Sequence, residues 1–275
     1  MKLKKKYRLD NNRQIWRILP TNNGKLYIEE RETEKKQAYF HCLSMDSGKK
    51  VLSDFQLEDK FWVGIEDVND DIIYFHKFAK PDMPKHRGIF AFNVHSKEFI
   101  WDNPELSFLF RLDDKIYAFR EKFEGKNFYS VSAITGEIIE DIGDNHEQIN
   151  ILRNESLSRN KDESYLFPEV FDPQIEISDS VKSFLNSLRN NFVITGNVEY
   201  IQKNDLLLMS FHEVNPRGSM NNLFKAVDLS SGKYILEEVI NKETSLFLTD
   251  SFFIKDNLLF LLFGKTRLVV YGIVD

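Results

Sequence analysis

Cysteine is nearly absent from the 275-residue chain: Cys42 is the only one, so no disulfide can form within it, and a reducing compartment, by default the cytoplasm, is expected. Long apolar runs are missing as well. The longest candidate, Asn257 to Phe263, falls far short of the roughly 18 uncharged residues that a spanning helix needs, so no membrane segment is expected. The start, Met1-Lys2-Leu3-Lys4-Lys5-Lys6-Tyr7-Arg8, is basic but has no apolar stretch or small-residue cleavage site behind it, and does not read as a signal peptide. With a net charge of −6 there is no broad attraction to phosphate backbones, and nucleic acid is not an expected partner. The basic cluster at residues 2–8 reads as a solvated end or an edge-strand margin, where Lys discourages aggregation. Catalytic signatures are lacking too: there is no Gly-rich phosphate loop, Gly-x-Ser-x-Gly elbow, His-Glu-x-x-His pair or Cys-x-x-Cys.

What the chain has in quantity is ring surface. Its 24 Phe, within a 42% hydrophobic composition, are ample for a packed core and argue against disorder. These residues recur in order. Six times a short Asn/Asp turn leads into an apolar run, at intervals of roughly 42 to 52 residues. The turns are Asn22-Asn23-Gly24 before Leu26, Asn69-Asp70-Asp71 before Ile72, Asp113-Asp114 before Ile116, Asn160-Lys161-Asp162 before Tyr165, Asn204-Asp205 before Leu206, and Asp256-Asn257 before Leu258. Strands and turns at this period are the pattern of propeller blades.

A hairpin signal follows about 20 residues after four of these turns, consistent with the blade period. Its loops are Ser44 to Lys49, Asn93 to Lys97, Ser132 to Glu137 and Asp228 to Lys233. In three of them a Gly, at 48, 136 or 232, can take the positive φ that closes the loop; the second has Lys97 there, which predicts a different turn. The small polar residue that opens each loop can bond its own backbone and start the turn.

The expected fold is therefore all-β, one domain over residues 1–275: a six-bladed propeller of four-stranded blades, with five or seven blades as alternatives. The closing blade is expected to draw strands from both termini, joining residues 258–263 and 267–273 to residues 7–9 and 14–19, with Trp16 at the hairpin register of Trp101. The fourth repeat lacks its hairpin. There Val181, Phe184, Leu185 and Leu188 make one apolar face of a helix near 178–190, with Ser178 as N-cap, Asp179 at its positive start and Arg189 at its end. Asn154 to Glu163 reads as a loose loop.

The unit's tail, as in Asp228-Leu229-Ser230-Ser231-Gly232-Lys233-Tyr234-Ile235, resembles the blade hairpin of quinoprotein-like and WD-type β-propellers. The whole chain resembles a bacterial propeller-like family of unknown function. That resemblance implies a fold and leaves the activity open, because propellers serve as enzymes, scaffolds and sensors. Quinoprotein dehydrogenases carry a tryptophan motif in each blade; with only Trp16, Trp62 and Trp101 here, no quinone cofactor is expected.

Two functional readings follow. In the first the chain is a binding or protein-interaction module without a cofactor. Its binding surface lies on the basic, Pro-containing segments Lys77 to Arg87, with Pro81 and Pro84, and Glu213 to Asn222, with Pro216. His76, Lys80, Lys85, His86, Arg87, His212 and Arg217 would meet a protein or a small anionic ligand. In the second the chain is a lactonase-like hydrolase with a calcium ion in its central channel, where six-bladed calcium-dependent lactonases hold theirs. Asn23, Asp71, Asp114, Asp162, Asp205 and Asp256 would then supply oxygens to a calcium ion, although tight turns use Asn and Asp anyway. Glu30, His76, Arg120 and Ser210 share a register just beyond the central strands, near Glu169 and His212. His76 and His212 are candidate bases or metal ligands, but exposed loop positions are the ordinary account of them. His41, His86, His95 and His146 show no motif.

Overall fold

The computed structural model describes residues 1–80, 83–159, 162–174, 176–215 and 217–274, apart from the side chains of Lys80 and Arg189. Asn160, Lys161, Pro81 and Pro216, which figured in the reading of turns and loops, lie outside the described residues. The described residues are all-β with two helices, and the chain divides into two compact units: residues 13–162, and residues 1–12 with 163–275. Strand β1 (Lys2–Asp10) belongs to the second.

The first unit holds three four-stranded antiparallel sheets, each a meander in chain order. They are β2 (Gln14–Pro20), β3 (Lys25–Glu32), β4 (Gln37–Ser44) and β5 (Lys50–Phe55); β6 (Val63–Asn69), β7 (Ile72–Lys80), β8 (Met83–Asn93) and β9 (Glu98–Asn103); and β10 (Ser107–Leu112), β11 (Lys115–Glu121), β12 (Lys126–Ser132) and β13 (Ile138–Gly143). Their central strands are apolar on both faces. Tyr27, Phe40 and Cys42 of the first sheet pack on Ile73, Phe75 and Phe92 of the second, whose Tyr74 and Ala91 pack on Ile116 and Val131 of the third. Burying both faces needs near-continuous apolar runs rather than alternation, and those runs are the repeats seen in the sequence. The outer face of the third sheet, with Tyr117 and Phe128, is covered by α1 (His146–Arg159) through Ile149 and Leu152.

The second unit contains β14 (Tyr165–Leu166), β15 (Glu169–Val170), α2 (Asp179–Asn191), β16 (Ile194–Lys203), β17 (Leu206–Val214), β18 (Met220–Asp228), β19 (Lys233–Thr244), β20 (Phe252–Lys255), β21 (Leu258–Phe263) and β22 (Arg267–Val274). One sheet runs β15-β16-β17-β18-β19; the other runs β1-β22-β21-β20-β14. Leu208, Phe224 and Ala226 pack against Phe252, Leu259 and Val269 between them, while Val181, Leu185 and Leu188 of α2 cover Met209 and Phe211.

The same bonds recur in every sheet that contains a complete repeat. Asp70, Asp113, Asn204 and Asp256 have φ between 49° and 55°, and Gly24 has 75°, the left-handed region that Asn, Asp and Gly enter most readily. The carbonyls of Gly24, Asp71, Asp114 and Asp205 then accept the N–H of Met45, Val94, Ala133 and Leu229 at 2.8–2.9 Å, the residue that follows each loop-opening Ser44, Asn93, Ser132 and Asp228. Turn and hairpin loop are thus tied together. Asn257 does the same for Ile273.

Several expectations are corrected. The described residues form five sheets where six blades are expected, because residues 146–191 are spent mostly on α1 and α2. The closing sheet does join both ends of the chain through β1 and β22, but residues 14–20 open the next sheet instead. Trp16 accordingly lies exposed on a first strand, whereas Trp101 is buried on a fourth, its indole N–H donating to the Ala133 carbonyl at 3.0 Å. Asn154 to Arg159 are helical, not a loop. Lys97 does not alter its turn: at φ 60° it occupies the place of Gly48, Gly136 and Gly232 and donates to Asn93 as they do to Ser44, Ser132 and Asp228. The helix near 178–190 is present, and Ser178 stands at its N-cap without a side-chain capping bond.

Candidate metal centre

The two segments read as long basic loops are mainly strand. β7 and β8 continue their pairing out to Lys80 and Met83, and β17 and β18 to Val214 and Met220. That extension lifts His76 and His86 out of the loop class. His76, on β7, is 1% exposed, and its ring stacks on that of His86, on β8, with centroids 3.5 Å apart. Glu66 of β6 completes the group: its Oε1 lies 2.6 Å from His86 Nδ1. The ligand-type atoms of Glu66, His76 and His86 all lie within 4.8 Å of one another, and among the described residues no other trio of His, Cys, Asp or Glu does so.

Local backbone irregularities make the cluster. Opposite β7, Ile65 pairs with Phe75 and Asp67 with Tyr74, so Glu66 is the extra residue of a bulge. The equivalent bulges in the first and third sheets fall at Trp16 and Leu109, neither of which can ligate an ion. Gly64 stands directly across from His76, and a Cβ there would meet His76 Nε2 at 2.6 Å; the bare backbone is what admits the ring. Phe78 meets both imidazoles edge-on, at 5.0 and 5.3 Å, and Trp62 lies against Phe78.

A polar clamp holds β6 in this position. Arg31 donates to Glu29 Oε1 and to the carbonyls of Phe61 and Val63, while Glu29 Oε2 accepts the N–H of Ile65 at 3.0 Å. Arg17 Nη1 donates to the Ile65 carbonyl at 2.5 Å. Glu30, also fully buried, meets His41 Nε2 at 3.1 Å, and His41 Nδ1 accepts the Asp54 N–H at 3.2 Å, which places the ring proton on Nε2. Both nitrogens of His41 are engaged. His76 differs: its buried Nδ1 has no hydrogen-bond partner.

Burial sets the charge states. It drives the His76 pKa down to about 3, with His86 adding to the effect and the Lys77 backbone opposing it, so the ring is neutral and one of its two nitrogens carries a lone pair. Burial also raises the Glu66 pKa, against the attraction of His86. Two imidazoles and one carboxylate suit a divalent first-row transition ion better than calcium, which prefers oxygen. Donors about 2.0–2.2 Å from such an ion stand about 3.4 Å apart at the tetrahedral angle, so to close on it the 2.6 Å Glu66–His86 hydrogen bond must open while the wider separations, up to 4.8 Å, contract.

The other expected site residues are placed apart from this group. Lys85 is ion-paired with Glu121, and Arg87 Nε donates to the Pro104 carbonyl at 3.3 Å. They line a cavity of about 410 Å³ with Arg120 and Glu105, themselves ion-paired at 2.5 Å. The Lys80 side chain lies outside the described residues. In the second unit His212 is buried and accepts the Leu248 N–H at 3.1 Å, which corrects the loop reading for it as well. Ser210 donates to Asn222, and Arg217 is exposed, 3.6 Å from Glu243. Among the turn residues, Asn23 accepts from Thr21 Oγ1 at 2.6 Å, and Asp71 meets Lys25 and, at 3.4 Å, His95. Asp256 is 3.4 Å from Lys255 and its carbonyl accepts from Lys203, while Asp114 and Asp205 act through the carbonyls described above. Asp162 is half-buried, and none of the six belongs to a three-ligand group.

Sequence reading singled out His76 and His86 but passed over Glu66. A signal was available: Glu66, His76 and His86 stand ten residues apart, the interval that brings mid-strand positions of successive antiparallel strands of about nine residues level with one another.

Residues 19–101 match the model of a domain of unknown function, DUF4905, and this stretch contains all three residues of the cluster with Glu29 and Arg31. No curated protein matches. Among solved structures the chain is similar to a DUF4221 family member from Bacteroides vulgatus, at 11% identity and TM-score 0.34, covering 98% of this chain and 97% of the other. It is also similar to a putative exo-β-1,3-galactanase from Bifidobacterium bifidum, at 12% identity and TM-score 0.31, with 100% and 94% covered. The Dos1 propeller matches at 7% identity and TM-score 0.32, with 94% and 68% covered.

Proposed function

We propose that the chain is a propeller-like binding module whose ligand is a divalent transition-metal ion, held by Glu66, His76 and His86. The observation that carries this reading is the orphan Nδ1 of His76, a buried, neutral nitrogen with no partner, in a group of three ligand-type side chains. A buried polar atom left without a partner costs about 1–3 kcal/mol, and a metal ion would recover that cost where no protein donor does. The clamp of Glu29, Arg31 and Arg17 on β6 supports the same reading, since a site must be held by its neighbours to select an ion.

Dialysis against Zn²⁺ or Co²⁺ followed by elemental analysis should give one equivalent per chain, and an ion at 100 times its Kd should stabilise the protein by about 2.7 kcal/mol in thermal unfolding. Glu66→Gln, His76→Ala and His86→Ala should each abolish stoichiometric binding. Gly64→Ala should weaken it without touching a ligand, by pressing on the His76 ring. Substoichiometric metal with an unchanged melting temperature would refute the proposal.

A further inference from the structure

Arg17 has more donors than its one bond in the clamp on β6 uses. It is half-buried, and it donates one hydrogen bond, to the Ile65 carbonyl, immediately before Glu66 in the chain. Among the described residues it forms no ion pair. Arg31, the other guanidinium here, is neutralised by Glu29, to which it donates from both Nε and Nη2.

Charge and coordination number then point the same way. A divalent ion with one carboxylate and two neutral imidazoles carries a net charge of about +1, and Arg17 adds another beside it. Three protein ligands leave at least one position of a four-coordinate ion unfilled. A guanidinium presents its donors in a planar fork that matches two oxygens of a carboxylate or phosphate, so one oxygen can bind the ion while another meets Arg17. The rings of Phe78 and Trp62 on the aromatic side of the cluster offer no competing anion.

Resting on the metal-centre reading, we infer that the ion's open position takes an oxyanion, a carboxylate or a phosphate, with Arg17 as its second anchor. Arg17 is on this view a ligand-binding residue of the site and not a metal ligand.

The test uses full-length protein loaded with Co²⁺, whose visible absorption reports its coordination. Inorganic phosphate and acetate are titrated separately against the cobalt form of the wild type and of Arg17→Met, which keeps an apolar stem. The expected result is a saturable spectral change with one or both anions in the wild type. At saturating cobalt the anion affinity of Arg17→Met should fall roughly tenfold or more, as for loss of a charged hydrogen bond, while Arg17→Lys, which keeps a charge and a donor for the Ile65 carbonyl, should lose less. A response to phosphate alone or to acetate alone identifies which oxyanion fits. Stoichiometric cobalt with a spectrum indifferent to both anions overturns the inference and leaves the metal centre standing, and so does an anion response of equal affinity in Arg17→Met. Failure to take up cobalt overturns the metal centre, and the inference with it.

Discussion

Lys97 shows how one residue can be read correctly as an exception and wrongly as a change of structure. Three of the four hairpin loops have Gly at this position, and the fourth keeps the same hydrogen bond and the same left-handed backbone with a Lys at φ 60°. The loop geometry is enforced by tertiary bonds, Asn93 opening it and Asp71 receiving the next N–H, so the side chain tolerates the strain. A non-Gly residue in this region costs roughly 1–2 kcal/mol, and Gly returns roughly 0.5–1 kcal/mol of that to the unfolded chain. Lys97→Gly should therefore stabilise the protein by about 0.5–1 kcal/mol in urea unfolding, while Lys97→Ala gains nothing. A neutral Lys97→Gly would mean that the loop relaxes elsewhere. At the same scale the candidate site was only partly legible: two of its residues are histidines, which draw notice, but Glu66 is one of many surface-type carboxylates until a bulge turns it inward.

Strands proved easier to read than helices, and the reason is periodicity. The runs beginning at Leu26, Ile72, Ile116, Leu206 and Leu258 announce buried central strands because both faces are apolar. α2 was visible because Val181, Leu185 and Leu188 supply a stripe. α1 has no such stripe: only Ile149 and Ser156 are buried, and Ser156 is held by donating its hydroxyl to the Arg111 carbonyl. What starts α1 is a polar device instead. Asn145 Oδ1 accepts the Gln148 N–H at 3.0 Å and its Nδ2 donates back to Gln148 Oε1 at 3.2 Å, a reciprocal cap. Asn145→Ala should cost about 1 kcal/mol, measured by urea unfolding, and Asn145→Asp should retain most of it through its charge at the helix start. An unchanged stability in Asn145→Ala would show that packing through Ile149 and Leu152 alone holds the helix on its sheet.

For the molecule as a whole, the pairing of β1 with β22 spans more of the sequence than any other strand pairing among the described residues, joining Lys2 to Val274 and Asp10 to Arg267. The expectation of a sheet shared by both ends rested on a general need to hide strand edges, and it identified the right partners while assigning one strand too many. The strand count could not be settled from repeats, because a turn signal at Asn160 to Asp162 looks like the others, yet the strands that follow it before α2, β14 and β15, have two residues each. β1 is held by more than its backbone. Leu9 is buried, Leu3 packs on the core of the second unit, and the amino group of Met1 lies 3.5 Å from Asp228, whose carboxyl Ser230 and Ser231 hold at a pKa of about 2. Because β1 ends the sheet, removing residues 1–10 bares the full edge of β22 and leaves its outward N–H and C=O groups to water. Hydrogen exchange read by mass spectrometry should then show protection lost across Arg267 to Val274 and retained in β3, β7 and β11, which belong to the other unit. A synthetic peptide of residues 1–12 added to the truncated chain should restore protection by strand addition. Should β22 stay protected without β1, the sheet would be closed by something other than the start of the chain, and the role given to the terminal strand would be wrong.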